Sequence, residues 1–272
     1  MRVFLVTDLE GVAGVINAAE WIHSESKYKE LAKELLTKEV NAAVDGFFAA
    51  GATDVVVQDG HGSGAINITL LDPRAKLQRG WDVNGSYPFG MDHSQFDVMA
   101  HVGQHPKAGT EYGHLCHTGN FNTLDCQING ISVGEFGQCV FLARQYGITP
   151  IFASGCLAFT KEAAALVKGI ETVAVKEGVQ PGTGDECTAD AYRIRNSGAI
   201  HLQPETARKA IREGAERALR RYMTNPETFV PTTIEPPYSG TIVLRQYEGQ
   251  QNYKLTLTGY NDLADLLNHL IR

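Results

Sequence analysis

Cysteine is scarce in this 272-residue chain. Cys116, Cys126, Cys139, Cys156 and Cys187 are odd in number, widely spaced and form no Cys-x-x-Cys pair. That argues against a disulfide framework, a zinc knuckle and a dithiol redox site. No apolar run approaches the roughly 20 residues that a bilayer-spanning helix needs, so no membrane partner is expected. Basic runs are missing as well. With 24 Lys and Arg against 31 Asp and Glu, the formal net charge is −7, which argues against nucleic acid as the main partner. There is no internal repeat or low-complexity tract. The first strand begins within two residues and no signal-peptide pattern precedes it, so cytoplasmic residence is the expectation. What remains is an ordinary globular composition, 43% hydrophobic and 20% charged, long enough for one large domain or two.

The organising stretch is the opening, Arg2-Val-Phe-Leu-Val-Thr7-Asp8-Leu9-Glu10-Gly11. A short Val/Phe/Leu run reads as a strand buried on both faces. Two carboxylates follow where that strand leaves the sheet, which is where open α/β folds place ligands. If the backbone stays extended, Asp8 and Glu10 share a side and repel unless a cation or a proton lies between them. The plainer reading is a pair of capping or turn residues before Gly11 and Gly14. A long amphipathic helix follows, from Ser24 or Ser26 to Ala50, after an Ile16–His23 loop. A second strand, Thr53–Gln58, ends in Asp59-Gly-His61. A third, Phe96–Gly103, ends in Gln104-His105. Parallel strands of this kind share an edge, which brings His61 and His105 toward Asp8 and Glu10.

Asn129-Gly130 between two apolar runs is a hairpin signal, and its second arm ends at Glu135, opening a helix. Strands at Thr149–Ser154 and Glu171–Lys176 bracket a helix over Thr160–Lys168. Another helix runs from Leu202 to Met223, a proline-rich stretch covers Asn225–Pro237, and two strands and an amphipathic helix close the chain. The expected architecture is α/β, a three-layer core with a mostly parallel sheet. Residues 1–200 form its metal-binding catalytic domain, and residues 201–272 form a smaller α+β subdomain for packing or oligomerisation.

Asp8, Glu10, His61, His105 and Glu135, with His114 and His117 on a neighbouring loop, form a mixed carboxylate and imidazole set. Such donors suit Zn²⁺, Mn²⁺ or Co²⁺, and five exceed the need of one tetrahedral ion. A bridging carboxylate as in two-metal hydrolases fits that number. His23, His93, His101, His201 and His269 read as loop or core residues. Cys116 beside His117 is a weak nucleophile candidate, because neighbours on a strand face opposite ways.

Taken in order, Asp-x-Glu-Gly, Asp-Gly-His, Gly-x-His, His117 and Val133-Gly134-Glu135 resemble the zinc-dependent D-aminopeptidases. Thr37-Lys-Glu39, the Asn129-Gly130 hairpin and Ala174-Val-Lys176 also fit that family's pattern. The resemblance implies two zinc ions per subunit bridged by Asp8, with Glu10 and His61 completing one site and His105 and Glu135 the other. It implies His117 as the catalytic histidine, release of the N-terminal residue from short D-peptides such as D-Ala-D-Ala, and a decameric homo-oligomer. Gly155-Cys156-Leu157 departs from the acidic pair frequent in the family. The readings set against it are a two-metal phosphoesterase or nuclease and a non-catalytic peptide-binding transport accessory protein.

Overall fold

The computed structural model describes residues 1–79, 90–91, 95–246 and 252–271. Trp81, Tyr87 and His93 lie outside the described residues, as does Glu248-Gly249, a turn signal between the last two expected strands. In chain order the elements are β1 (Arg2–Thr7), α1 (Ala18–Trp21), α2 (Lys29–Ala49), β2 (Asp54–Asp59), β3 (Lys76–Gln78) and β4 (Val98–Gln104). Then come β5 (Thr123–Ile128), β6 (Ile131–Ser132), α3 (Glu135–Gln145), β7 (Thr149–Cys156), α4 (Leu157–Leu166), β8 (Val167–Lys168) and β9 (Glu171–Gly178). The chain closes with α5 (Ala189–Arg195), β10 (Ala199–His201), α6 (Pro204–Thr224), β11 (Val230–Pro231), β12 (Tyr238–Leu244), β13 (Lys254–Tyr260) and α7 (Leu263–Leu270).

Among the described residues, seven strands form the main sheet in the order β10-β9-β7-β4-β1-β2-β3. All its pairings are parallel except β10 on β9. Side chains alternate across it, as extended backbone dictates. Val3 and Leu5 join one core with α2 and α6, through residues such as Leu36, Phe47, Ile211 and Leu219. Phe4 and Val6 join the other, with α3, α4 and α7. Both faces of β1 are therefore buried, which is why its sequence is continuously apolar. Burying a Leu or Phe of this kind contributes roughly 1.5–3 kcal/mol relative to exposure. The α2–α6 contact is close: a Cβ on Gly46 would lie 2.3 Å from the Arg212 carbonyl oxygen.

A second, four-stranded antiparallel sheet, β13-β12-β5-β6, lies on the α3 side. Asn129 and Gly130 both take positive φ, 48° and 79°, the turn that matches hairpin twist. The Asn129 carboxamide oxygen accepts from Ser239 N at 2.7 Å and so helps seat β12 beside β5. Residues 201–272 thus spread over both sides of the main sheet, α6 packing along α2 while β12 extends the sheet begun by β5.

Strand order fixes where a ligand can sit. From β1 the chain moves outward through β2 to β3, then crosses back to place β4 on the other side of β1. The crevice at the carboxyl ends of β1 and β4 is the topological switch point, where open parallel sheets bind ligands.

Candidate metal centre

The backbone ladder continues past the strands into that crevice. Asp8 N donates to Val102 O at 3.0 Å and Gly11 N to Gly103 O at 2.6 Å. This approach admits no side chain. A Cβ on Gly11 would lie 2.1 Å from the Gln104 carbonyl oxygen, and one on Gly103 (φ +79°) 2.1 Å from that of Asp8. The chain turns after Thr7 rather than staying extended, because Leu9 N donates to Asp8 Oδ1 at 2.9 Å and Val12 N to Leu9 O. Asp8 and Glu10 nevertheless end up buried together, at 6% and 3% exposure.

Each remaining candidate from the strand ends arrives beside them. His105 Nε2 lies 3.1 Å from Asp8 Oδ2 and 3.5 Å from Glu135 Oε2. His61 Nε2 is 3.4 Å from Glu10 Oε1, and His117 Nε2 is 3.9 Å from Glu135 Oε1. Glu135 occupies the first turn of α3, where the helix dipole favours a negative charge, and its Oε1 accepts from Gly119 N at 2.8 Å. His105 and His117 stack with ring centroids 3.9 Å apart.

Ring hydrogen bonds set the histidine tautomers. Nδ1–H of His105 donates to Pro106 O at 2.9 Å, and that of His117 to Leu115 O at 2.8 Å. Both Nε2 atoms are thereby turned toward carboxylate oxygens. His61 Nδ1 sits 3.2 Å from Ser63 Oγ, which also accepts from Lys29 Nζ at 2.8 Å. Leu115 holds its carbonyl at φ 51°, a left-handed conformation that costs a non-glycine residue roughly 1–2 kcal/mol.

Without a cation, this arrangement is electrostatically uncomfortable. Burial, with Glu10 next to it, pushes Asp8 up to about 7. Burial opposes charge on His105 too, but Glu135 and Asp8 outweigh it and raise the imidazole well above its ordinary range. Burial likewise works against Glu135, which His105 holds down at about 2. His117 goes the other way, lowered by burial and by His105, and is therefore neutral near pH 7. Among the described residues, Glu10 Oε2 is buried without a hydrogen-bond partner. Three carboxylates, an orphaned carboxylate oxygen and imidazole Nε2 atoms aimed inward fit a divalent metal with mixed N/O preference, which would displace the proton from His105. Asp8, Glu10 and His105 form one cluster of convergent ligand atoms, and His105, His117 and Glu135 form an overlapping one.

Several sequence candidates stand elsewhere. His114 faces away, its Nε2 donating to Ile16 O at 2.9 Å. Asp59 accepts from Ala65 N and Ile66 N and pairs with Arg79, bracing the His61 loop. Cys116 Sγ lies 3.0 Å from Tyr192 Oη, and burial raises its thiol, so nothing activates it. His269, not a candidate in the sequence, is exposed on α7 beside Asp265.

Other residues reach the centre without any sequence signal. Gln104 Nε2 donates to Asp8 Oδ2 at 3.2 Å and Glu135 Oε2 at 3.4 Å, tying two carboxylates together. A cavity of about 330 Å³ opens over the cluster, walled by Ile22, His23, Ser24, Asn120 and Phe121. Phe121 leans on His117 at 4.6 Å between ring centroids. His23, read from the sequence as a loop residue, stands in that wall.

A sequence profile of the peptidase family described as D-aminopeptidase (Peptidase M55) matches residues 1–257. The chain belongs to this D-aminopeptidase family. It is 29% identical over 181 residues to a D-aminopeptidase of Bacillus subtilis (strain 168). That stretch covers 65% of this chain and 64% of that relative, slightly under two thirds of its length. The fold is shared with a solved structure described as the Zn-dependent D-aminopeptidase DppA from Bacillus subtilis, a self-compartmentalizing protease. There the TM-score is 0.79 at 21% identity, covering 98% of this chain and 94% of the other. Within the D-aminopeptidase family frame, the strand-end cluster is the candidate catalytic centre. Among the described residues no helix is long and apolar enough to cross a membrane.

Proposed function

We propose that this chain is a zinc-dependent aminopeptidase that removes the N-terminal residue from short D-peptides such as D-Ala-D-Ala. The observation that carries the reading is the convergence of Asp8, Glu10, His61, His105 and Glu135 on one sheet edge beneath an open cavity. Family membership supplies the D preference.

Asp8 lies centrally, so it would be shared between two zinc ions. Glu10 and His61 would complete one site, and His105 and Glu135 the other. Zinc bound there supplies Lewis-acid polarisation of a peptide carbonyl and a water acidified to near-neutral pKa. His117 supplies the proton traffic. Its Nδ1–H is committed to Leu115 O and burial keeps it neutral, so Nε2 is free to accept a proton. The same nitrogen then returns that proton to the departing amine. Gln104 keeps the Asp8 and Glu135 carboxylates in register during this exchange. The cavity accommodates small residues; the walls formed by Ile22 and Phe121 restrict bulk.

We extend the proposal to a closed homo-oligomer, a decamer, with residues 201–272 contributing contacts and the chain residing in the cytoplasm. The relative's description as self-compartmentalizing supports the assembly, and sedimentation equilibrium measures it. For the chemistry, the zinc-loaded protein is assayed on D-Ala and L-Ala p-nitroanilides and on bis-p-nitrophenyl phosphate. Release from the D-anilide alone, lost on chelation and in Asp8→Ala, supports the reading. Phosphodiester cleavage points to the esterase, and peptide binding without turnover to an accessory protein; either result overturns it.

A further inference from the structure

The turn that follows Asp8 and Glu10 is held from four directions by side chains of four separate segments. Glu39, on α2, accepts from Ala13 N through Oε1 at 2.9 Å. Lys176, on β9, donates from Nζ to Val12 O at 3.0 Å and to Val15 O at 3.3 Å. His201, on β10, accepts from Gly14 N through Nδ1 at 3.1 Å. His114 donates to Ile16 O from the loop that also carries His117.

These are costly groups to use for the purpose. Lys176 is 3% exposed and Glu39 1%, and ionisable groups are rarely buried so deeply unless paired or hydrogen-bonded. No salt bridge links the two among the described residues, and Glu39 Oε2 has no hydrogen-bond partner. Each is spent on main-chain atoms of one turn. Val12, Ala13 and Val15 are themselves fully buried, so their backbone polar groups need partners, but a water or a hydroxyl would satisfy them. Lys176 does more, because one ammonium spans two carbonyls three residues apart and fixes the curvature between them. The clamped segment begins two residues beyond Glu10, and Gly11 is already locked against β4 through Gly103 O. Glu10 is thus held between two fixed points.

We propose that Lys176 and Glu39 are positioning residues for the metal centre, setting the Val12–Val15 backbone so that Asp8 and Glu10 converge. The inference rests on the reading of Asp8 and Glu10 as zinc ligands. Neither group touches metal or substrate; both act through the turn. Outer-shell partners of this kind typically change metal affinity by 10–100-fold.

The test is zinc affinity, measured on full-length protein by competition with a chromophoric chelator, beside thermal unfolding of the zinc-free form. Wild type and Asp8→Ala come first: if both bind zinc equally, the ligand reading itself fails. If Asp8→Ala loses zinc, the positioning variants are informative. Lys176→Met is expected to weaken zinc about tenfold or more and lower kcat, with KM within about twofold. Glu39→Gln retains an oxygen acceptor for Ala13 N and should stay within about twofold of wild-type affinity, whereas Glu39→Met should lose about tenfold. The double variant Lys176→Met with Glu39→Met should be no worse than its weaker single, since both loosen the same turn. The Glu39 pair decides the matter if Lys176→Met does not fold. Wild-type affinity in Glu39→Met, or equal losses in Glu39→Gln and Glu39→Met, overturns the proposal. So does a fall in zinc-free stability with zinc affinity unchanged.

Discussion

His101 offers the sharpest test of how this interior is built. It sits in the middle of β4, in register with Val6 of β1 on one side and Ala153 of β7 on the other. Its ring packs edge-on against Phe136 at 4.9 Å between centroids, and neither ring nitrogen has a hydrogen-bond partner among the described residues. Burial drives its pKa down to about 3, against about 6.5 in an unfolded chain. The sign follows from linkage. Between those two values the unfolded chain carries a proton that the folded chain refuses, so stability is whole above about pH 6.5 and falls as pH drops toward 3. At pH 5 the penalty from this one residue is about 2 kcal/mol. Other groups titrate over the same range, so the informative quantity is a difference. Urea denaturation of zinc-free wild type and His101→Leu at pH 7 and pH 5 should show wild type losing about 2 kcal/mol more than the variant. Equal losses in the two proteins would falsify the view that His101 is held neutral by its surroundings.

Three further outcomes follow from the site. Chelation of zinc should lower the melting temperature of wild type, because it leaves buried carboxylates facing one another, yet leave Asp8→Ala unmoved; an equal drop in both contradicts the assignment. Gly11→Ala forces a methyl against the Gln104 carbonyl, at 2.1 Å, and should destabilise by about 3 kcal/mol or more in chemical denaturation, a value under 1 refuting the close approach. Phe121→Ala removes the ring that leans on His117 and should reduce kcat about tenfold, equivalent to about 1.4 kcal/mol, while zinc content stays constant; an unchanged kcat denies Phe121 any part in holding the imidazole.

What could be read from the sequence follows period and punctuation. β1, β2 and β4 announce themselves through short apolar runs, α2 through its stripe from Ala32 to Phe47, and the hairpin through Asn129-Gly130. Brief elements leave no such pattern. α1 falls in a stretch expected to be loop, since four residues show no periodicity; the Asn17 side chain, accepting from Glu20 N at 2.9 Å, caps it. α4 begins at Leu157 rather than Thr160, because the chain leaves β7 at Cys156 directly into the helix. α5, β8, β10 and β11 are too short to show a pattern. The pairing of β12 with β5 joins segments more than a hundred residues apart, which no local pattern encodes.

The site shows the same division. Aligned strand ends suggested that Asp8, Glu10, His61 and His105 meet, since parallel strands present a common edge. Gln104 escaped notice because it looks like the last residue of a strand, and its bonds to Asp8 and Glu135 depend on the placement of three elements. Residue type and spacing do not separate His114 from His117 in a glycine-rich loop; only the family resemblance singles out His117. The carbonyls of Ile16 and Leu115 separate their roles.

The spread of these groups along the chain bears on the order in which the molecule comes together. A zinc finger gathers its ligands within one short segment, so the ion can nucleate the fold. Here the converging side chains run from residue 8 to residue 135, and β1 acquires both neighbours only after the chain has doubled back across it. Parallel pairings over such separations form slowly, each requiring a crossover to close first. Until β4 docks, Asp8 and His105 are far apart and no pocket exists for an ion to enter. On the proposed zinc reading, metal capture would come late: a nascent chain that ends before residue 135 lacks Glu135, and zinc starvation should yield a folded apoprotein.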